Sequence, residues 1–180
     1  MSLPPETFRA VYPRLMQWMN ETRATHAEAA RPVLSLPHRR LWTYFEPATL
    51  AQTKVVVTDQ LPLAPFAALG LKRFDEWDAQ RMFGVTYLDT IFIRPKPCAD
   101  DTLFCMQMVR AAQWRILGPE RFLRLYIEDI ARLGPELSVF EDRMSEKAEM
   151  FETGMRFNIE RSLLHDYLTL PEGKPPHEAN

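Results

Sequence analysis

Apolar residues recur at Val11, Leu15, Trp18, Met19 and Thr22, at spacings of three and four that put them on one face of a helix. Proline suits the first helical turn, so the regular part of this helix is expected to begin at Pro13. Residues 31–47 are punctuated by Pro32, Pro37 and Pro47 and read as irregular, with short turns predicted at 41–45 and 48–52. Lys54-Val-Val-Val-Thr-Asp59 is a β-branched run between turn formers, the pattern of a buried strand. Residues 60–70, with Pro62 and Pro65, follow as a loop, and 75–83 as a short helix closed by Gly84.

Residues 85–94, VTYLDTIFIR, alternate like a second strand. One face would carry Val85, Tyr87, Asp89, Ile91 and Ile93, the other Thr86, Leu88, Thr90 and Phe92. Asp89 is the exception in that pattern. A charge amid apolar neighbours is costly unless paired or wet, which sets it beside a solvent-filled cleft or makes it a cap for nearby backbone. Three helices are predicted downstream. The first spans 101–117, capped by Asp100 or Asp101 and stopped by Gly118-Pro119. The second begins at Pro119, has Glu120 in its first turn, buries Phe122, Leu125, Tyr126, Ile130 and Leu133, and ends at Gly134-Pro135. The third is capped by Ser138 and carries the stripe Phe140, Met144, Phe151 and Met155. Residues 171–180 are polar and proline-rich, and a disordered tail is expected there.

At 180 residues and 46% hydrophobic, the chain suits one core, and a single domain over 1–170 is expected. The formal net charge is −2 with both signs interspersed, so there is no electrostatic footprint for nucleic acid or an anionic membrane surface. Residues 1–13 lack the basic and apolar regions of a signal peptide, and no stretch has the apolar length of a membrane span. A cytoplasmic protein is expected, with Cys98 and Cys105 as free thiols.

The chemistry-bearing candidate is the helix DTLFCMQMVRAAQW at 101–114. In an H-E-x-x-H helix two histidines four residues apart aim both imidazoles at one zinc ion, with the glutamate beside them as base. This frame holds Met106 and Arg110 at the histidine positions and Gln107 at the glutamate position. His26, His38, His165 and His177 are scattered, and no G-x-S-x-G nucleophile signature is present.

The order of elements, with TYLDTIFIR before that helix, AAQW at its exit and LGPERFLRLY after it, resembles an uncharacterised bacterial family of small zincin-like metallopeptidases of the gluzincin type. In that family a strand ending LDTIF precedes a helix reading FHELVHVVQW. The likeness covers about residues 54–151, with Gln113-Trp114 fixing the register. It implies an α+β fold, a mainly helical zincin-like domain with a small β-sheet packed against the motif helix. It also implies that Met106, Gln107 and Arg110 stand where two ligands and a general base would be, with Glu141 at the place of the third ligand.

Without its ligands the frame loses its chemistry. A thioether is a weak ligand, a guanidinium cannot coordinate, and an amide cannot take a proton from water. No cofactor and no metal are expected. Arg110 and Glu141 are instead expected to form an ion pair bridging two helices where the zinc would have been. If buried, that pair should cost roughly 3–5 kcal/mol when either partner alone is removed. Each residue also has a plain structural role open to it: Met106 as core filler, Arg110 reaching to solvent, and Glu141 closing a capping box with Ser138. The resulting expectation is a non-catalytic peptidase-like protein whose cleft, with Tyr87 and Asp89 in its lining, holds a peptide or small ligand. The alternatives are a metal-independent hydrolase and a structural or oligomeric protein.

Overall fold

The computed structural model describes residues 5–76 and 80–168. In chain order come α1 (Pro5–Thr25), β1 (Arg31–Pro32), α2 (Pro47–Gln52), β2 (Lys54–Val57), β3 (Gly84–Tyr87), β4 (Thr90–Ile93), α3 (Pro95–Cys98), α4 (Asp101–Leu117), α5 (Pro119–Leu133), α6 (Val139–Glu152) and α7 (Ile159–Leu168). Short 3₁₀ turns lie between them, among them Leu41–Tyr44 and Lys72–Glu76. The fold is α+β and mainly helical, with one four-stranded mixed sheet in the order β1-β2-β4-β3. Residues 171–180 and the tail expected there lie outside the described residues. Among the described residues no helix is long and apolar enough to cross a membrane.

α4 is the axis around which the rest packs. The Asp100 carboxylate accepts from Thr102 N and Leu103 N, each at 2.9 Å, which satisfies two of the donors a helix leaves open at its start. Gly118, at φ 74°, and Pro119 end it. Between them every residue from Phe104 to Trp114 except Met106 is buried. A helix buried all round needs neighbours all round. The hairpin β3–β4 covers one side, and α5, α6 and α7 cover the others.

In the sheet, β2 runs parallel to β4 from Lys54↔Thr90 to Val57↔Ile93, and β3 runs antiparallel to β4 from Gly84↔Ile93 to Tyr87↔Thr90. Directly paired residues share a face. Thr86 and Ile91 therefore point the same way, towards α4, as the Thr86 contact to Gln107 shows. Tyr87 and Phe92 point the other way, where Trp18 meets Tyr87 and His26 meets Phe92 edge-on. The sheet is thus layered between α1 and α4.

Four expectations are corrected. The strand foreseen over 85–94 is a hairpin, broken by Leu88 and Asp89, with Leu88 at φ 58°. That break reassigns the faces: Val85 and Tyr87 lie with Thr90 and Phe92, not with Ile91 and Ile93. The helix foreseen over 75–83 is absent from its described part, which is a 3₁₀ turn up to Glu76 and irregular chain at Met82 and Phe83. Gly84 opens β3 rather than capping a helix. α1 runs from Pro5 straight through Pro13, because Pro13 and Arg9, whose carbonyl loses its partner, both lie on the solvent side. The stripe on α6 stops at Phe151, and Met155 is exposed beyond the helix.

Candidate functional site

The polar residues of α4 at 107, 110 and 113 fall three apart and are all buried, turning in steps from the hairpin towards α6 and α7. Gln107 is 4% exposed, Arg110 7% and Gln113 0%. Buried polar groups need partners, and each of these has one.

Gln107 faces the hairpin. Its Oε1 accepts from the Thr86 hydroxyl at 2.8 Å, and its side chain lies against Gly84. The Thr86 carbonyl in turn accepts from Trp114 Nε1 at 2.9 Å, one helical stretch further along. Gln107 therefore fills the space between β3 and α4, and Trp114 closes it.

Arg110 faces α6. Its Nη2 donates to Glu141 Oε1 and its Nη1 to Gln113 Oε1 at 2.9 Å. The same Glu141 oxygen accepts from the Tyr126 hydroxyl at 2.9 Å. The guanidinium carbon stands 4.8 Å from the ring centroid of Tyr126 and 5.7 Å from that of Phe122, a cation–π arrangement. Gln113 Nε2 continues the network to the Tyr167 hydroxyl at 2.8 Å and to the Phe140 carbonyl at 3.3 Å. One chain of hydrogen bonds thus ties α4 to α5, α6 and α7.

The electrostatics of the pair follow from this packing. Burial works against the charged guanidinium, but the Glu141 carboxylate and the Tyr126 and Tyr167 hydroxyls outweigh it, and the Arg110 pKa lies above the ordinary arginine value. Arg110 is a fixed cation. Burial, and then the Glu141 charge, push Tyr126 well above the usual phenol range, so its hydroxyl stays a donor.

Glu141 could have spent its carboxylate on a capping box. Ser138 does supply half of one, its Oγ accepting from Glu141 N at 3.4 Å. The Ser138 amide, however, bonds the Pro135 carbonyl at 3.4 Å, and the Glu141 carboxylate goes to Arg110 and Tyr126. The Ser138 hydroxyl donates to Asp129 Oδ2 at 2.7 Å, which holds the start of α6 to α5.

Of the positions singled out in the sequence, Gln107, Arg110 and Glu141 gather around α4, and Met106 packs partly buried against the core. Tyr87 and Asp89 do not join them. Tyr87 projects to the α1 side of the sheet, where its hydroxyl donates to the Pro62 carbonyl at 2.8 Å and accepts from Ala64 N at 3.0 Å. Asp89 sits in the hairpin turn and accepts from Arg23 Nη2 at 2.5 Å and from the Thr90 hydroxyl at 2.9 Å. It anchors the end of α1 to the sheet. Four members of the network, Thr86, Gln113, Tyr126 and Tyr167, escape a reading built on ligand positions. Gln113 had a signal, since a buried amide three residues from Arg110 faces the same way.

Among the described residues no group of three histidine, cysteine, aspartate or glutamate side chains is placed to hold a metal ion. Cys98 and Cys105 are free thiols, and burial raises the pKa of both. Comparison of the chain with protein-family models, with curated proteins and with solved structures gives no match.

Proposed function

We propose that this chain is a non-catalytic, zincin-like protein of the cytoplasm in which the Arg110–Glu141 ion pair stands in place of a zinc ion as the link between two helices. The observation that carries the reading is the position of Arg110. Its side chain lies beside the one acidic residue that matches a zinc ligand in the resembled family, and its charge is permanent. A cation and a carboxylate meet where a dication and a carboxylate would have met. The resemblance supplies that comparison, and the geometry around Arg110 supports it.

Hydrolysis needs a base, or a nucleophile with a base beside it. Gln107 is an amide bonded to Thr86, Arg110 is a cation, and Asp89 is engaged by Arg23 on the far side of the sheet. Metal-independent hydrolysis by these residues has no support. Peptide capture along β3 is disfavoured as well. Gln107 fills the gap beside the strand, and the Thr86 carbonyl is taken by Trp114. The reading is therefore of a scaffold with a bolted interior, and any partner it has meets its outer surface.

Reversion tests it. Protein purified without chelators is expected to hold no stoichiometric zinc and to cleave no peptide. The triple variant Met106→His, Gln107→Glu, Arg110→His is expected to gain one zinc, and adding Glu141→Gln is expected to weaken that zinc. Stoichiometric zinc in the unaltered chain, cleavage abolished by Gln107→Ala, or a folded triple variant that takes up no zinc would each overturn the proposal.

A further inference from the structure

The connection from β2 to β3 runs over residues 58–83 and contains no α-helix and no strand among its described residues. Its regular parts are the 3₁₀ turns Ala67–Leu69 and Lys72–Glu76. Connections longer than about 15 residues without such elements are uncommon in compact folds and are a usual place for lids. Both ends of this one are stitched to the end of β4. Thr58 N donates to the Ile93 carbonyl and Arg94 N to the Phe83 carbonyl, each at 2.9 Å. Because β2 and β3 flank β4, the two feet stand about 10 Å apart, two strand spacings. What lies between them can move without disturbing the pairing of the sheet.

Residues 60–76 carry a small core of their own. Phe66 and Phe74 are buried, and their rings stack at 4.0 Å and 20°. Leu71, also buried, links them through its backbone: its amide donates to the Phe66 carbonyl at 3.0 Å, and its carbonyl accepts from Phe74 N at 3.1 Å. Beyond Thr58, the described backbone hydrogen bonds of residues 60–76 close within the segment. Side chains tie it to the rest of the molecule. The Tyr87 hydroxyl on β3 donates to the Pro62 carbonyl at 2.8 Å and accepts from Ala64 N at 3.0 Å. Arg73 Nη1 donates to the carbonyls of Ala131 and Arg132, in the last turn of α5, at 3.3 and 2.9 Å. The Phe74 ring meets Tyr126 of α5 at 5.9 Å and 68°.

We infer that residues 60–76 are a strap, closed over the junction of β3 and α5, that lifts as one unit while the sheet and the helices around α4 stay folded. The helices are bound to one another through buried partners, whereas the described polar ties of the strap end in a hydroxyl and an exposed arginine. A segment so held belongs to the part of a protein that opens first. Short 3₁₀ turns do not persist once detached, so lifting opens the amides of Leu69, Leu71 and Phe74 to exchange. It also takes the Phe74 ring off Tyr126, whose hydroxyl holds Glu141. One end of the Arg110 network is thereby bared without being broken.

The test is hydrogen exchange of the full chain in increasing, sub-denaturing urea. The Leu69, Leu71 and Phe74 amides are expected to exchange as a group, faster than the innermost α4 amides and with a weaker dependence on urea. Tyr87→Phe keeps the ring and removes the hydroxyl, and is expected to speed that group about tenfold. Ile159→Val removes one buried methyl from α7, and is expected to speed the α4 amides about threefold to tenfold while leaving the strap amides unchanged. Strap amides that follow the α4 amides in urea dependence and in Ile159→Val open only with the whole molecule, which overturns the inference. So does exchange at the rate of an unstructured chain, which means that the strap is not seated, or a Tyr87→Phe strap that exchanges no faster. Should Tyr87→Phe fail to fold, the unaltered chain and Ile159→Val decide.

Discussion

Gly84 at the start of β3 and Gln107 on α4 are in such close contact that a Cβ added at Gly84 would stand 3.1 Å from Gln107 Cδ. It would also stand 3.1 Å from the carbonyl oxygen of Phe92, which belongs to the sheet and cannot easily move aside. Gly84→Ala is therefore an overpacking substitution, expected to cost about 1–3 kcal/mol in urea unfolding. Gly84→Ala combined with Gln107→Ala should recover part of that loss, since the amide is the more yielding neighbour. A Gly84→Ala protein as stable as the original would mean that the gap beside β3 is open.

The two halves of the Arg110–Glu141 pair are unequally buried, with side-chain exposures of 8% and 24%. Glu141→Gln leaves a buried guanidinium without an anion and is expected to cost about 3 kcal/mol, the lower end for a broken buried pair because Gln113 and the two rings remain. Arg110→Met leaves a carboxylate that reaches water and keeps the Tyr126 hydroxyl, and about 1–2 kcal/mol is expected. The double variant should cost less than the sum, with a coupling of about 1–3 kcal/mol. Denaturant titration of all four proteins measures this. Additive losses would show two independent side chains rather than one bolt.

Asp129 and Glu160 are buried carboxyls of a different kind. Burial raises the pKa of each above its ordinary value of 3.8 and 4.5, against the pull of the Ser138 hydroxyl on Asp129 and of Thr49 and the Glu46 amide on Glu160. The folded chain therefore holds protons at a pH where the unfolded chain has released them. The stability from these two groups is greatest below the ordinary values and is lost as pH rises through the window above them. Asp129→Asn and Glu160→Gln are each expected to flatten the decline of stability with pH across that window. Unfolding midpoints collected at several acidic pH values test it, and parallel curves for variant and original would exclude it.

At the hairpin turn, Asp89 and Arg23 are 38% and 26% exposed, and a pair so placed contributes little. Asp89→Ala is expected to cost about 1 kcal/mol or less, and to leave the zinc uptake of the triple reversion variant unchanged. A loss of zinc binding in the combined variant would put Asp89 back at the site.

What the sequence disclosed depended on how much of each signal is local. α4, α5 and β2 were legible because their ends are written in the chain: Asp100 before α4, Gly118-Pro119 between the helices, Gly134-Pro135 after α5, and a valine run for β2. The hairpin was hidden because its turn is Leu88-Asp89, with no glycine or asparagine to announce it. The two-residue β1 owes its place to β2, with which it pairs, more than to any pattern of its own. Arg110 and Glu141 could be proposed as a pair because their spacing follows a known frame. Tyr167 could not, since its approach to Gln113 depends on how α7 folds back over α4.

Seen from the unfolded side, the hydrogen-bonded chain from Tyr126 through Glu141, Arg110 and Gln113 to Tyr167 has a consequence for how the molecule opens. α5, α6 and α7 cannot leave α4 one at a time without stranding a buried partner of the next. These four helices should come apart as one unit, and their innermost amides should be the last in the protein to exchange with deuterium.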